Sequence, residues 1–181
     1  MTIRVAELAD ANAIAQLHAS SWATAYRGIL RDEFLDGPLH ENRRALWHSR
    51  LSEFNRAGQF VLVDEHQGTI RGFACGFLDA DAEWGCLLDN LHVVPELKGQ
   101  GLGRQLMREV AQWVLHSKSN RRLHLWAYEQ NLAARRFYER LGGVITMRHA
   151  EPALDGTQVN AVRYCWSELA SLAGRRRAEH G

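Results

Sequence analysis

Apolar positions recur along the chain at two periods, every second residue and every third to fourth, and the switches between them mark out strands and helices. Ile3 and Val5 alternate with polar neighbours as in a short strand. Asp10 stands at the cap position of a helix carrying Ile14, Leu17, Ser21 or Trp22, and Tyr26 at helical spacing, and the chain turns near Gly28. Pro38 can start a second helix, with Trp47, Leu51 and Phe54 on one face and Gly58 past its end as a stop. Residues 60–65 and 69–78 read as strands, and the short His66-Gln67-Gly68 between them predicts an antiparallel hairpin.

Beyond an acidic loop at 79–83 the order becomes strand, helix, strand, at residues 86–94, 102–116 and 122–128. That is a βαβ unit, whose crossover makes its two strands parallel. Asn131 caps a helix ending near Gly142, and residues 144–151 and 159–166 form a last hairpin around Leu154-Asp155-Gly156. The expected fold is α/β of the α+β kind: a mixed, largely antiparallel sheet with a central βαβ, flanked by helices. No linker or internal repeat divides the chain, so residues 1–174 read as a single domain, and 175–181 as a basic tail with Arg175, Arg176 and Arg177, expected to be disordered.

At 181 residues and 46% hydrophobic, the chain is large enough for one substantial core. No apolar stretch would span a bilayer and no secretion signal opens the chain, so a soluble cytoplasmic protein without a membrane partner is expected. Cys75, Cys86 and Cys165 are odd in number and lack ligand spacing, which predicts buried free thiols and no metal site. The net charge of +1 hides an asymmetry. Residues 1–97 hold eight Arg and no Lys against fourteen carboxylates, a balance of −6, whereas residues 98–148 hold ten basic against three acidic side chains, a balance of +7. The basic part suits a polyanionic ligand and the acidic part a cationic amine. Nucleic acid is not the expected partner, because core-forming residues interrupt the basic segment and no nucleic-acid motif accompanies it.

Chemistry concentrates in Lys98-Gly99-Gln100-Gly101-Leu102-Gly103-Arg104, which follows a strand and opens a helix. Glycines let the main chain turn tightly, and the first N–H groups of a helix lack partners at the positive end of its dipole, so the run offers a seat for pyrophosphate. A plain glycine turn is the competing reading. GxGxxG counted from Gly99 would need glycine at Arg104, and GxxxxGK[ST] has no match, which excludes the usual dinucleotide loop and the P-loop. The run resembles instead the (Gln/Arg)-x-x-Gly-x-(Gly/Ala) signature of the GCN5-related N-acetyltransferases, with Lys98, Gly101 and Gly103 at its named positions and lysine as a cationic departure. Asn131-Leu-Ala-Ala-Arg-Arg-Phe-Tyr138-Glu-Arg-Leu-Gly142 resembles the family's later block, Asn-x-x-Ala-x-x-Phe-Tyr-x-x-x-Gly, with every named position present.

The resemblance implies acetyl-CoA as cosubstrate and two parallel strands that splay to admit its pantetheine arm. Main chain of Leu91, His92 and Val93 would then face the arm, and Gln100, Gly101, Gly103, Arg104 and Gln105 the pyrophosphate. Tyr138 matches the family's tyrosine that protonates the departing thiolate, and Ala134 stands one turn before it. Asn131 is an N-cap by type and position, while the family's matching residue contacts the arm; both roles are open to it.

Acetyl transfer to an amine also needs the amine neutral and an oxyanion stabilised. Many relatives place a Glu where this chain has Trp126. Asp89 is the first substitute as general base; His92 and Glu83 are the others, and water alone is a further route. Strict alternation would put His92 on the opposite face from Asp89. A backbone N–H near Val93 is the candidate for the oxyanion. Trp22, Tyr26, Glu83 and Trp126 are expected at the acceptor, with Trp47, Trp84 and Tyr164 as further candidate walls. The segment 21–30 resembles the N-terminal pattern of bacterial acetyltransferases similar to polyamine enzymes, so a small amine is the favoured acceptor. A protein N-terminus or lysine, a non-catalytic acyl-CoA sensor, and a homodimer as the assembly stay open.

Overall fold

A computed structural model describes residues 2–52, 58–117 and 120–174. Phe54 and the tail at 175–181, for which sequence expectations exist, lie outside the described residues. The elements in chain order are β1 (Thr2–Val5), α1 (Ala11–Ala25), α2 (Asp32–Asp36), α3 (Leu39–Leu51), β2 (Gln59–His66), β3 (Thr69–Asp81), β4 (Gly85–Val93), α4 (Leu102–His116), β5 (Leu123–Tyr128), α5 (Leu132–Arg140), β6 (Val144–Pro152), β7 (Gln158–Trp166) and α6 (Leu169–Leu172).

The strands form one seven-stranded sheet ordered β1-β2-β3-β4-β5-β7-β6, antiparallel at every junction except β4 with β5. One face is covered by α4: Leu102, Leu106, Met107, Val110, Ala111 and Val114 are buried against Phe60, Leu62, Leu88, Leu123 and Leu125. The other is covered by α1 and α3, whose Ile14, Leu17, Trp47 and Leu51 pack on Val61, Val63, Phe73 and Cys75. These helical stripes repeat every three to four residues, which is why the chain folds them onto a sheet. Among the described residues no helix is long and apolar enough to cross a membrane.

Three local features have plain causes, and the first two depart from expectation. Asp10 precedes α1, but its carboxylate is held by Arg4 at 2.7 Å and by the N–H of Glu7 at 2.8 Å and does not cap the helix. α3 stops at Leu51 because Ser52 turns to extended backbone, well before Gly58. The last hairpin folds back so that β7, not β6, pairs with β5, leaving β6 at the edge with Val144 64% and Met147 47% exposed.

Candidate active site

The parallel strands β4 and β5 meet only at Cys86 with Leu123 and Leu87 with His124, and beyond those pairs they part. The gap widens into a cleft of about 840 Å³, lined on one side by Leu88, Asp89, Leu91, His92 and Val93 and on the other by Leu125, Trp126 and Ala127. Splayed strands leave main-chain groups without partners. Val94 N–H is bonded to Arg71 O at 2.9 Å on β3, and because N–H groups alternate sides along a strand, that of Val93 points into the gap.

A bulge shapes the same stretch. Cys75 pairs with Asn90 and Gly76 with Leu88, so Asp89 is the extra residue. Alternation breaks there: Asp89 and Asn90 both reach Arg50 Nη1 at 2.7 Å, on the α3 side, and His92 meets Ser21 of α1 at 2.9 Å. The expectation that Asp89 and His92 face opposite ways is therefore corrected; both line the cleft. His92 is half-buried at the cleft wall, and desolvation, then Lys98 and Arg43, hold its pKa down to about 3, so it is neutral at physiological pH and a weak base.

At the mouth of the gap, Gly99 (φ 78°) and Gly101 (φ 90°) adopt left-handed conformations that let the chain turn into α4. The first N–H answered inside the helix is that of Gln105, at 3.0 Å from Gly101 O, so the N–H groups of residues 101–104 have no intrahelical acceptor. Gln105 thus falls out of the expected pyrophosphate set. So does Gln100, whose N–H goes to Leu97 O at 3.3 Å and whose side chain goes to Glu96 O at 2.6 Å. Neither lines the cleft, whereas Lys98, Gly101, Gly103 and Arg104 do. Sequence reasoning missed Leu102 among the free N–H groups, and Arg140, a third cation in the lining. Arg140 had a signal: it follows Ala133 and Phe137 on the stripe that turns α5 toward the cleft. A Cβ on Gly103 would stand 3.3 Å from the Phe137 ring, so glycine there lets α4 and α5 close up.

Along α5, Asn131 Oδ1 accepts from Ala134 N–H at 3.2 Å, fixing the helix start, while Asn131 and Ala134 both line the cleft. Tyr138 lines it too, packed against the rings of Phe137, Tyr164 and Trp166 at 5.3, 5.8 and 6.1 Å. Burial pushes the Tyr138 hydroxyl well above the usual phenol range, so it keeps its proton and is a donor.

At the opposite end, α1 contributes Ser21, Thr24, Ala25 and Tyr26. Tyr26 packs between Trp22 and Tyr128, each ring 5.0 Å away, and burial raises its hydroxyl pKa as well. Trp126 lines the cleft with His149 4.5 Å from its ring. Two acceptor candidates do not reach it. Trp22 is buried in the small core beneath Tyr26, with Arg43 4.5 Å over its ring. Glu83 is exposed in the turn before β4, where its carbonyl accepts from Arg122 at 2.8 Å, at the end of β4 away from the gap. Trp47 is core, donating to His18 Nδ1 at 2.9 Å; Tyr164 donates to Glu139 at 2.7 Å; Trp84 lies under Arg163 at 4.1 Å; none lines the cleft.

The charge asymmetry is focused at one end only. Lys98, Arg104 and Arg140 line the mouth, but Asp89 is the one carboxylate in the lining. Other carboxylates of the acidic half are tied up at the surface or elsewhere in the sheet, Asp10 and Glu65 with Arg4, Asp32 and Asp36 with Arg27, and Asp64 with Arg71.

Comparison with known proteins agrees with this geometry. Residues 17–143 match the model of the acetyltransferase (GNAT) family. The chain is 30% identical over 177 residues to the uncharacterized N-acetyltransferase YuaI of Bacillus subtilis, covering 95% of this chain and 96% of that one. Its fold is similar to that of yncA from Salmonella typhimurium, solved with its cofactor acetyl-CoA (TM-score 0.66, 24% identity, 92% of each chain). It is similar as well to the PaiA N-acetyltransferase of Thermoplasma acidophilum in complex with coenzyme A (TM-score 0.68, 18% identity, 88% of this chain and 96% of that one).

Proposed function

The chain belongs to the acetyltransferase (GNAT) family, and from that premise we propose that it transfers the acetyl group of acetyl-CoA to the primary amine of a small molecule, by direct attack while both are bound. The observation that carries this reading is the opening of β4 from β5 beside the free N–H groups of residues 101–104. Those groups and Lys98, Arg104 and Arg140 suit the phosphates of the coenzyme; the unpaired edge of Leu91 to Val93 suits the amides of its pantetheine arm. Asn131 and Ala134 close the arm from α5.

The reaction joins the amine nitrogen to the thioester carbonyl and breaks the carbon–sulfur bond. The ammonium gives up two protons; one returns at the sulfur and one leaves to water. Asp89, open to solvent along part of its side chain and paired with Arg50, is the group placed to take a proton from the amine, directly or through water. The N–H of Val93 faces the position where carbonyl charge develops. Tyr138 supplies the proton for the thiolate. Tyr26 and Trp126 flank the amine. The end of the cleft beside these rings is lined by Ser21, Thr24 and Ala25 of α1.

Calorimetry with acetyl-CoA, and thiol release from acetyl-CoA with a panel of amines, test the proposal. Binding followed by amine-dependent release is expected. No heat with acetyl-CoA would overturn it, and binding without release for any amine, peptides included, would leave an acyl-CoA sensor in its place.

A further inference from the structure

Ser21 and His92 form a hydrogen-bonded pair with no part in the proton transfers of Asp89 and Tyr138. Both line the cleft, with Ser21 Oγ 2.9 Å from His92 Nδ1. Which of the two donates fixes where the imidazole carries its proton, because a neutral imidazole has one N–H and one bare nitrogen. Thr24, on the same helix, turns its hydroxyl back to Ser20 O at 3.1 Å. Ser21 makes no such bond among the described residues and is only 4% exposed, so His92 Nδ1 is the acceptor at hand for its hydroxyl hydrogen. A buried hydroxyl left without an acceptor is costly. Ser21 therefore donates, and the proton of His92 is on Nε2.

That Nε2–H has no partner among the described residues. It is not one of the buried unpartnered atoms, which are His18 Nε2, Trp22 Nε1 and Asp64 Oδ1, so it is open to the cleft that His92 lines. The ring is held on two sides, by His18 at 4.6 Å and Phe73 at 5.2 Å between centroids. Its charge state agrees, since desolvation keeps the imidazole neutral at physiological pH. A fixed, neutral N–H in a partly desolvated site is well suited to a carbonyl oxygen that gains charge. Val93, the next residue, points its main-chain N–H into the gap, whereas the imidazole comes from the α1 side.

We propose that His92 is a catalytic residue that donates its Nε2–H to the thioester carbonyl oxygen of acetyl-CoA, beside the N–H of Val93, with Ser21 as the positioning residue that holds the proton on Nε2. As the amine nitrogen bonds to the carbonyl carbon, negative charge grows on that oxygen; the two N–H groups stabilise it and neither gives up its proton. His92 is then a donor and not a base. The inference rests on the acetyltransferase reading and adds a residue to it.

Nitrogen NMR of histidine-labelled protein, with the His92 variants to assign the signal, reads the tautomer directly. The proton is expected on Nε2, and its signal should shift when acetyl-CoA replaces coenzyme A, since only the former brings the carbonyl. In thiol release, His92→Phe keeps a ring in the stack but loses the donor, and should lower kcat about a hundredfold with the KM of the amine and the Kd of acetyl-CoA within about threefold. His92→Gln, whose amide can place an N–H near the same point, should recover about tenfold of that loss. Ser21→Ala should lower kcat about tenfold and bring an Nδ1–H population into the spectrum, which a merely structural serine would not do. A proton on Nδ1 in the parent, the same Nε2 signal with acetyl-CoA as with coenzyme A, or a His92→Phe variant as active as the parent would each overturn the inference and leave the acetyltransferase reading intact. Absence of thiol release by the parent with every amine would instead sink both.

Discussion

Tyr138 and Asp89 do opposite work and sit in opposite surroundings. The Tyr138 hydroxyl is desolvated among aromatic rings and holds its proton; Asp89 keeps a cation beside it and part of its surface in water. Removing only the hydroxyl, Tyr138→Phe, preserves the ring packing, so turnover should fall about a hundredfold or more while the Kd for acetyl-CoA stays within a few-fold. Calorimetry and thiol release on one preparation read both; full activity would remove Tyr138 from the proton path. Asp89→Asn keeps shape and loses charge, and should lower kcat/KM for the amine at least tenfold without moving the coenzyme Kd. At this scale the sequence was readable where a motif stated the partner, as at Asn131, Ala134 and Tyr138, all of which come to the cleft. It was not readable for Trp22 and Glu83. Whether an aromatic is wall or core, and which end of a strand a turn residue reaches, depends on what packs against it.

The start of α4 is an element whose sequence and structure agree closely. Its bounds, Leu102–His116, follow from an apolar stripe that stays in phase for the whole helix, and from Gly101 at φ 90°. Gly101→Ala places a Cβ in the left-handed region, which costs about 1–2 kcal/mol and tilts the free N–H groups of residues 101–104. A lower melting temperature by a few degrees is expected, together with a weaker acetyl-CoA Kd by tenfold or more; scanning calorimetry and titration on the variant separate the two effects. An unchanged Kd would place the phosphates elsewhere. The bulge at Asp89 escaped the sequence because a bulge is a mismatch between two strands, set by which residue of β3 each residue of β4 meets. α2, only five residues long, is too short to display a helical repeat of apolar positions.

For the whole molecule, element order and the βαβ core were legible because hydrophobic period and turn residues are local. The placing of β7 between β5 and β6 was not, since a hairpin looks the same whichever strand docks. Nor was the meeting of buried His18 and half-buried His92 in one aromatic cluster, their rings 4.6 Å apart beside Phe73 and Trp47. That cluster sets the acid limit of the fold. His18 Nδ1 accepts from Trp47, and both imidazoles are held neutral, with His92 at about 3 and His18 well below its usual value, mainly by desolvation. Unfolding returns each to about 6.5. Between those values the unfolded chain binds protons that the native chain refuses, so stability rises with pH there and is lost as pH falls below about 6.5. Each group contributes a slope of up to about 1.4 kcal/mol per pH unit. The carboxylates with depressed pKa values, Asp10, Asp36, Asp81 and Asp155, add their loss only below the usual carboxylate range, about pH 4. Urea unfolding at pH 7 and pH 5 should therefore show a marked drop in midpoint on acidification, and His92→Gln should shrink that drop even if it lowers stability at pH 7. A midpoint equal at both pH values would mean that the histidine pair is open to protons in the native state, and with it the acceptor end of the cleft.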